Sequence, residues 1–201
     1  MNKKDERRIA TKQSILEAAR VVFASKSKDK VTMQDISMQA GLQRRTLYSY
    51  FNNKEDIYLA VVEGELSMIA SKLEAVINHK ISPIYKLELY IFTRFEAIKE
   101  AVFRNGSLEA GYFQNVMELE HVRMPVDMKE IRMLRQIIDE GLAEKVFKPC
   151  SSQWTAMFIL YALKGFELPY LNSQVSQHIQ EKRDEIMDFL LNGFMRKNEN
   201  G

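Results

Sequence analysis

Val31-Thr-Met-Gln-Asp-Ile-Ser-Met-Gln-Ala-Gly-Leu-Gln-Arg-Arg-Thr-Leu-Tyr-Ser-Tyr-Phe-Asn-Asn-Lys54 is the stretch whose reading decides the fold. Thr32 followed by Asp35 forms a capping arrangement, in which the threonine hydroxyl is available to the orphan N–H groups of a short helix ending near Ala40. Gly41 supplies the positive φ of a tight helix exit. Leu42 and Gln43 then lead into a third helix, roughly Arg44 to Phe51, which Asn52-Asn53 break before a long fourth helix begins near Lys54. Two short helices joined by so tight a bend have the geometry of a DNA-binding helix-turn-helix: the second lies in the major groove while the first braces across the backbone.

Side-chain chemistry sorts to match. Ile36, Ser37 and Ala40 before the turn, and Leu42, Leu47 and Tyr50 or Phe51 after it, form the packing set, with the small Ser37 allowing close approach. Gln43, Arg44, Arg45, Thr46, Tyr48 and Ser49 remain for the outer face. Arginine pairs bidentately with guanine, glutamine pairs with adenine, and threonine touches the thymine methyl. Tyr48 can donate its hydroxyl to a phosphate, and Lys54 adds charge to a helix end already suited to an anion. Thr32 and Tyr50 complete the set expected at the duplex.

Upstream, Ile15, Leu16, Ala19, Val22 and Phe23 form one apolar stripe of an amphipathic helix expected from about Arg7 to Ala24. Its outer face carries the charge. Residues 1–54 hold 12 Lys/Arg against 5 Asp/Glu, a balance of +7, whereas the remainder of a chain of net charge +2 sums to −5. Such a division suits a first quarter that meets a polyanion.

The run from Val31 through Ile57 resembles the N-terminal signature of the TetR family of repressors, most of all in Thr46-Leu-Tyr-Ser-Tyr-Phe-Asn-Asn-Lys-Glu55. The preceding Ile15-Leu-Glu-Ala-Ala helix with Phe23-Ala24 fits as well. This resemblance implies an all-α dimer, a C-terminal ligand-binding domain and release from DNA on induction. The chain departs from the family pattern in Ser25-Lys26-Ser27-Lys28, where a glycine is frequent, and in Gln43, where a Ser or Thr N-cap is usual.

Composition bounds the rest. A chain of 201 residues, 46% of them hydrophobic, can bury a real core. The apolar stretch near Trp154 to Leu163 is too short for a membrane span, and no signal peptide is apparent, so a cytoplasmic protein is expected. One cysteine, Cys150, excludes an internal disulfide and reads as an idle thiol. His79, His121 and His178 are isolated and no phosphate loop or nucleophile elbow occurs. An enzyme is therefore not expected, nor a metal or cofactor.

The division expected is a DNA-binding domain at 1–53 and a helical ligand-binding and dimerisation domain at 54–201, with about nine helices and boundaries marked at Ser82-Pro83, Asn105-Gly106, Pro125, Pro149 and Asn172-Ser173. From Ser152 to Leu171 apolar residues occupy nearly the whole circumference, so two surfaces must cover this helix. The final helix, with Ile179, Ile186, Leu190 and Phe194, is the expected companion in a two-fold, four-helix homodimer interface. Arg94, Phe95, Tyr112, Phe113, Met117, His121, Trp154, Phe158 and Tyr161 are the expected contacts of a small hydrophobic effector, Arg94 and His121 supplying polar groups. The rival reading is a helical protein-interaction module that has lost its operator; steep salt dependence of DNA binding distinguishes the two.

Overall fold

Asn2 opens the first helix of a computed structural model that describes residues 2–105 and 116–192, with backbone alone at 105 and 116–118. The helices are α1 Lys3–Ser25, α2 Met33–Gln39, α3 Arg44–Tyr48, α4 Lys54–Ile77, α5 Pro83–Asn105, α6 Val116–Ala143, α7 Ser152–Leu171, α8 Ser173–Glu181 and α9 Arg183–Asn192. A single 3₁₀ turn, Lys28–Lys30, joins α1 towards α2. Nine α-helices and no β-strand among the described residues make the fold all-α, as expected.

Packing divides the chain into two units, Met1–Ser67 with Glu100–Arg123, and Met68–Lys99 with Met124–Gly201. In the first, α1 buries Ile15, Ala19, Val22 and Phe23 on one stripe, the stripe read from the sequence. Ile36 of α2, Leu47 of α3, and Ile57 and Val61 of α4 are fully enclosed with it. Each such side chain contributes roughly 1.5–3 kcal/mol of transfer free energy. Tyr58 meets Phe23 edge-on at a centroid distance of 5.3 Å. Buried Glu65 of α4 receives Arg20 of α1 at 3.2 Å and Arg104 of α5 at 3.0 Å, tying three helices together with one carboxylate.

In the second unit, Tyr90, Leu134, Ile137, Leu160 and Tyr170 lie in the interior. Phe95 stacks on Tyr170 at 4.7 Å. At the end of α6 the ring of Phe147 closes directly over Gly141, whose backbone carbonyl accepts from the N–H groups of Val146 and Phe147.

Four boundaries differ from expectation. α1 starts at Lys3, a full turn early, because Asn2 caps it and Asp5 and Glu6 oppose the positive end of its dipole. The third helix stops at Tyr48, where Ser49 turns its hydroxyl back onto the Thr46 carbonyl at 2.6 Å. Pro125 lies inside α6 and does not end it. Proline fixes φ near the helical value and forfeits one hydrogen bond, and buried Leu119, Ile131 and Leu134 on either side hold the helix through it. The expected final helix is two helices, broken at Lys182 (φ −101°, ψ 20°), so Ile179 and Ile186 lie on different elements. Just past the break, Arg183 donates to Glu88 at 2.5 Å and sets its guanidinium 4.3 Å over the Phe92 ring. Phe194 lies outside the described residues.

Alanine ordinarily favours a helix interior over glycine by about 1 kcal/mol. At Gly141 the order reverses, because a Cβ there would stand 2.1 Å from the Phe147 ring. Urea unfolding of Gly141→Ala should show a loss of about 1–3 kcal/mol, the cost of overpacking; a stabilised variant would contradict this packing.

Candidate nucleic-acid interface

The turn between α2 and α3 is built as the sequence implies. Thr32 accepts from the backbone N–H of Asp35 at 3.1 Å, and the Asp35 carboxylate accepts from the backbone N–H of Thr32 at 2.9 Å, closing a reciprocal capping box. Lys26 adds a 2.7 Å ion pair to the same carboxylate. Hydrogen bonds from Lys26 and Thr32 hold the Asp35 carboxyl down at about 2, from an ordinary value of 3.8. Gly41 takes φ +64°, a left-handed conformation natural to glycine. The N–H of Leu42 then reaches back to the Ser37 carbonyl at 3.0 Å, sealing the exit from α2.

Beyond the turn, Leu47 is the buried residue of α3, and Phe51 follows it into the core. Gln43, Arg44, Arg45, Tyr48 and Ser49 are exposed, with Thr46 and Tyr50 half-buried at the edge. Gln43 is the N-cap of α3 by backbone geometry, yet its side chain makes no capping bond. Its amide is thereby left to the outer face. Arg44 donates to the Tyr48 hydroxyl at 3.3 Å and lies 5.6 Å from that ring's centroid, which draws both polar ends into one exposed cluster.

Two expected contacts have other duties. The Thr32 hydroxyl is engaged in the capping box. Lys54 directs its ammonium to the carbonyls of Lys28 and Asp29, at 3.0 Å each, and so pins the 3₁₀ turn against the start of α4. Sequence spacing showed Lys54 at a helix start; it carried no signal for a bond spanning 26 residues.

The described residues among those expected around an effector have different surroundings. Arg94 is buried between Glu130 and Glu167, at 2.6 Å from each, and Tyr90 donates to Glu130 at 3.1 Å. Burial alone pulls the Arg94 guanidinium pKa down, but the two carboxylates outweigh it and the net shift is upward. Burial, followed by the Glu130 charge, raises Tyr90 well above the usual phenol range. Arg94 Nη1 has no hydrogen-bond partner among the described residues. Phe95 is buried nearby in sequence, whereas His121 is exposed. Trp154, Phe158 and Tyr161 are on the open side of α7, 63%, 76% and 55% exposed. The reason lies in helical phase: Ala156, Leu160, Leu163, Glu167 and Tyr170 form the buried stripe of α7. Tyr112, Phe113 and the Met117 side chain lie outside the described residues. Sequence reasoning missed Glu130 and Glu167, since nothing in their spacing marks them as partners of Arg94. Cys150 is exposed, and no group of metal-ligating side chains occurs among the described residues. No described helix is long and apolar enough to cross a membrane.

A capped helix turned through a left-handed glycine into a short helix with a cationic outer face defines a helix-turn-helix DNA-binding protein. Residues 15–61 match the family described as bacterial regulatory proteins, tetR family. The chain is 24% identical over 143 residues to the HTH-type transcriptional repressor KstR2 of Mycolicibacterium smegmatis, covering 69% of this chain and 68% of that one. Among solved structures, a transcriptional regulator from Cytophaga hutchinsonii superposes with a TM-score of 0.73 at 21% identity, over 90% of this chain and 97% of that one. The transcriptional regulator FadR of Bacillus subtilis, in complex with stearoyl-CoA, gives 0.71 at 20% identity over 90% and 98%. The structural likenesses show the fold; the family match is to the segment 15–61 that carries the helix-turn-helix, and the relative it resembles is a transcriptional repressor.

Because the folded Asp35 carboxyl titrates below its unfolded value, the stability it lends is present above about pH 4 and is lost as pH falls through about 2. A carboxylate-detected NMR titration should place the Asp35 midpoint near 2. In Lys26→Ala the midpoint should move upward; an unshifted midpoint in that variant would refute the pairing.

Proposed function

We propose that the chain is a ligand-responsive repressor: a homodimer that binds a palindromic operator in the cytoplasm and releases it when a small hydrophobic effector occupies the region 54–201. The observation that carries this is the outer face of α3. Gln43, Arg44, Arg45 and Tyr48 are exposed together, on a helix whose anchoring is done by other residues. Thr46 reads bases with Gln43 and the two arginines, while Tyr48, Ser49, Tyr50, Thr32 and Lys54 grip the backbone. In this role Thr32 and Lys54 act through the backbone they hold as much as through their own polar atoms.

The exposed side of α7 supports the dimer. Trp154, Phe158, Tyr161, Phe166 and Leu168 form an open apolar face, and Phe189 of α9 is 79% exposed. Soluble chains seldom leave so much aromatic surface to water unless a partner covers it. A second copy, pairing α7 and α9 about a two-fold axis, covers it with the same residues from the other side. Trp154, Phe158 and Tyr161 thus belong to this surface in preference to the effector site. Two copies present their α3 helices about 34–36 Å apart, one duplex turn.

Arg94 and Phe95 remain the effector contacts of choice, and Tyr112, Phe113, Met117 and His121 are retained as contacts on the sequence reading alone. The spare Nη1 of Arg94 suits an acceptor atom on an otherwise apolar molecule. The stearoyl-CoA held by FadR of Bacillus subtilis favours that class. Release requires only that the effector bind a form whose reading heads are out of register better than the DNA-ready form. α4, which contributes to both packing units, is the element to carry the change.

The test begins with an operator selected from a random-sequence duplex pool. Wild-type chain should bind it with a Kd near about 10⁻⁸ M or tighter. Arg45→Ala and Tyr48→Ala should each weaken binding by about 1–3 kcal/mol, and Phe158→Glu should sediment as a monomer and lose the palindrome. Unchanged affinity in the first two would remove the reading face, and a dimeric Phe158→Glu would remove the interface.

A further inference from the structure

α1 extends beyond the core it helps to build. Its buried residues begin at Ile15, the position at which the family match also begins, yet the helix runs from Lys3. Nearly every residue from 2 to 14 is exposed, Thr11 being half-buried. At 1.5 Å per residue these added turns project about 18 Å.

Their charge is not spread evenly around the helix. Lys4, Arg8 and Lys12 follow one another at four-residue steps and fall in line with Ile15, Ala19 and Val22. The stripe that packs onto the helix-turn-helix further along the helix therefore continues in these turns as a cationic stripe. Lys12 marks the changeover, its ammonium 5.7 Å from the centroid of Phe51, just past the end of α3. No ion pair of Lys4 or Arg8 occurs among the described residues; Glu6 lies on the opposite side of the helix, and Asp5 flanks the stripe three residues before Arg8. Cations that served solubility alone would have no reason to occupy the one face that the rest of α1 uses for packing.

We infer that the first three turns of α1 are a second DNA contact: Lys4 and Arg8 clamp the sugar-phosphate backbone beside the groove that α3 enters. The partner is double-stranded DNA, recognised by charge and without regard to sequence, and the inference rests on the reading of α3 given above. The rigid overhang adds grip where base readout adds selectivity. It lies wholly before the matched segment 15–61.

The test is the salt dependence of binding to a mixed-sequence duplex of about three helical turns, measured by fluorescence anisotropy between about 50 and about 200 mM salt. In the full chain carrying Lys4→Gln and Arg8→Gln, the slope of log K against log salt should become shallower by about 1.8 per bound protomer, hence about 3.6 for the dimer, the value for two lost phosphate contacts in each copy. Arg132→Gln with Arg135→Gln removes the same charge from the exposed face of α6 and should leave the slope unchanged. Unaltered helical circular dichroism would establish that each variant is folded. Should Lys4→Gln/Arg8→Gln keep the wild-type slope while Arg44→Gln/Arg45→Gln reduces it, the clamp is overturned and the α3 reading stands. An equal fall in both charge-loss pairs would also overturn the clamp, since general charge would then account for it. A wild-type chain that binds no duplex would overturn both.

Discussion

A helix of five residues cannot hold itself together in water. Nucleation costs more than one turn of hydrogen bonds returns, and isolated helices become stable only at two or three times that length. α3 exists because its surroundings impose it: Gly41 sets the entry, Leu47 and Phe51 bury on the inner side, and beyond its end Lys54 fastens the start of α4 to the 3₁₀ turn. None of these anchors occupies the outer face. The side chains of Gln43, Arg44 and Arg45 take no part in anchoring α3 to the core and so are left to a ligand.

The two packing units distribute charge differently. In the first, basic side chains line exposed faces of α1 and α3, and the buried carboxylate of Glu65 is already answered by Arg20 and Arg104. In the second, charge is taken inside: Arg94 lies between two glutamates from α6 and α7, and Lys86 meets Glu140 at 2.6 Å. A buried pair of this kind adds little to stability compared with apolar packing, but removing one member is costly. Such a cluster fixes three helices in one arrangement. It is also a natural fulcrum if a ligand favours another.

Much of this was legible in the sequence, and the reasons differ by region. Thr32, Asp35, Gly41 and Leu47 act through local geometry within a few residues, so their spacing alone specified the turn and the outer face. The bounds of α7 at Ser152 and Leu171 were likewise written in flanking residues. Partners far apart in the chain left no such trace: Lys54 with the 28–29 carbonyls, Arg94 with Glu130 and Glu167, and Phe147 over Gly141. The α7 stripe shows where periodicity alone stops. It revealed that two faces were apolar, but which one points inward depends on the helices it meets, and Trp154, Phe158 and Tyr161 lie on the outward one.

The central claim is that α3 enters the major groove, and that a twin does so one turn away. Dimethyl sulfate probing of the complex with a selected duplex tests it directly, because the reagent reports guanine N7 in the major groove and adenine N3 in the minor groove. Two tracts of N7 protection separated by about one helical turn are expected. Protection confined to adenine N3, or to one tract at every protein concentration, would contradict it.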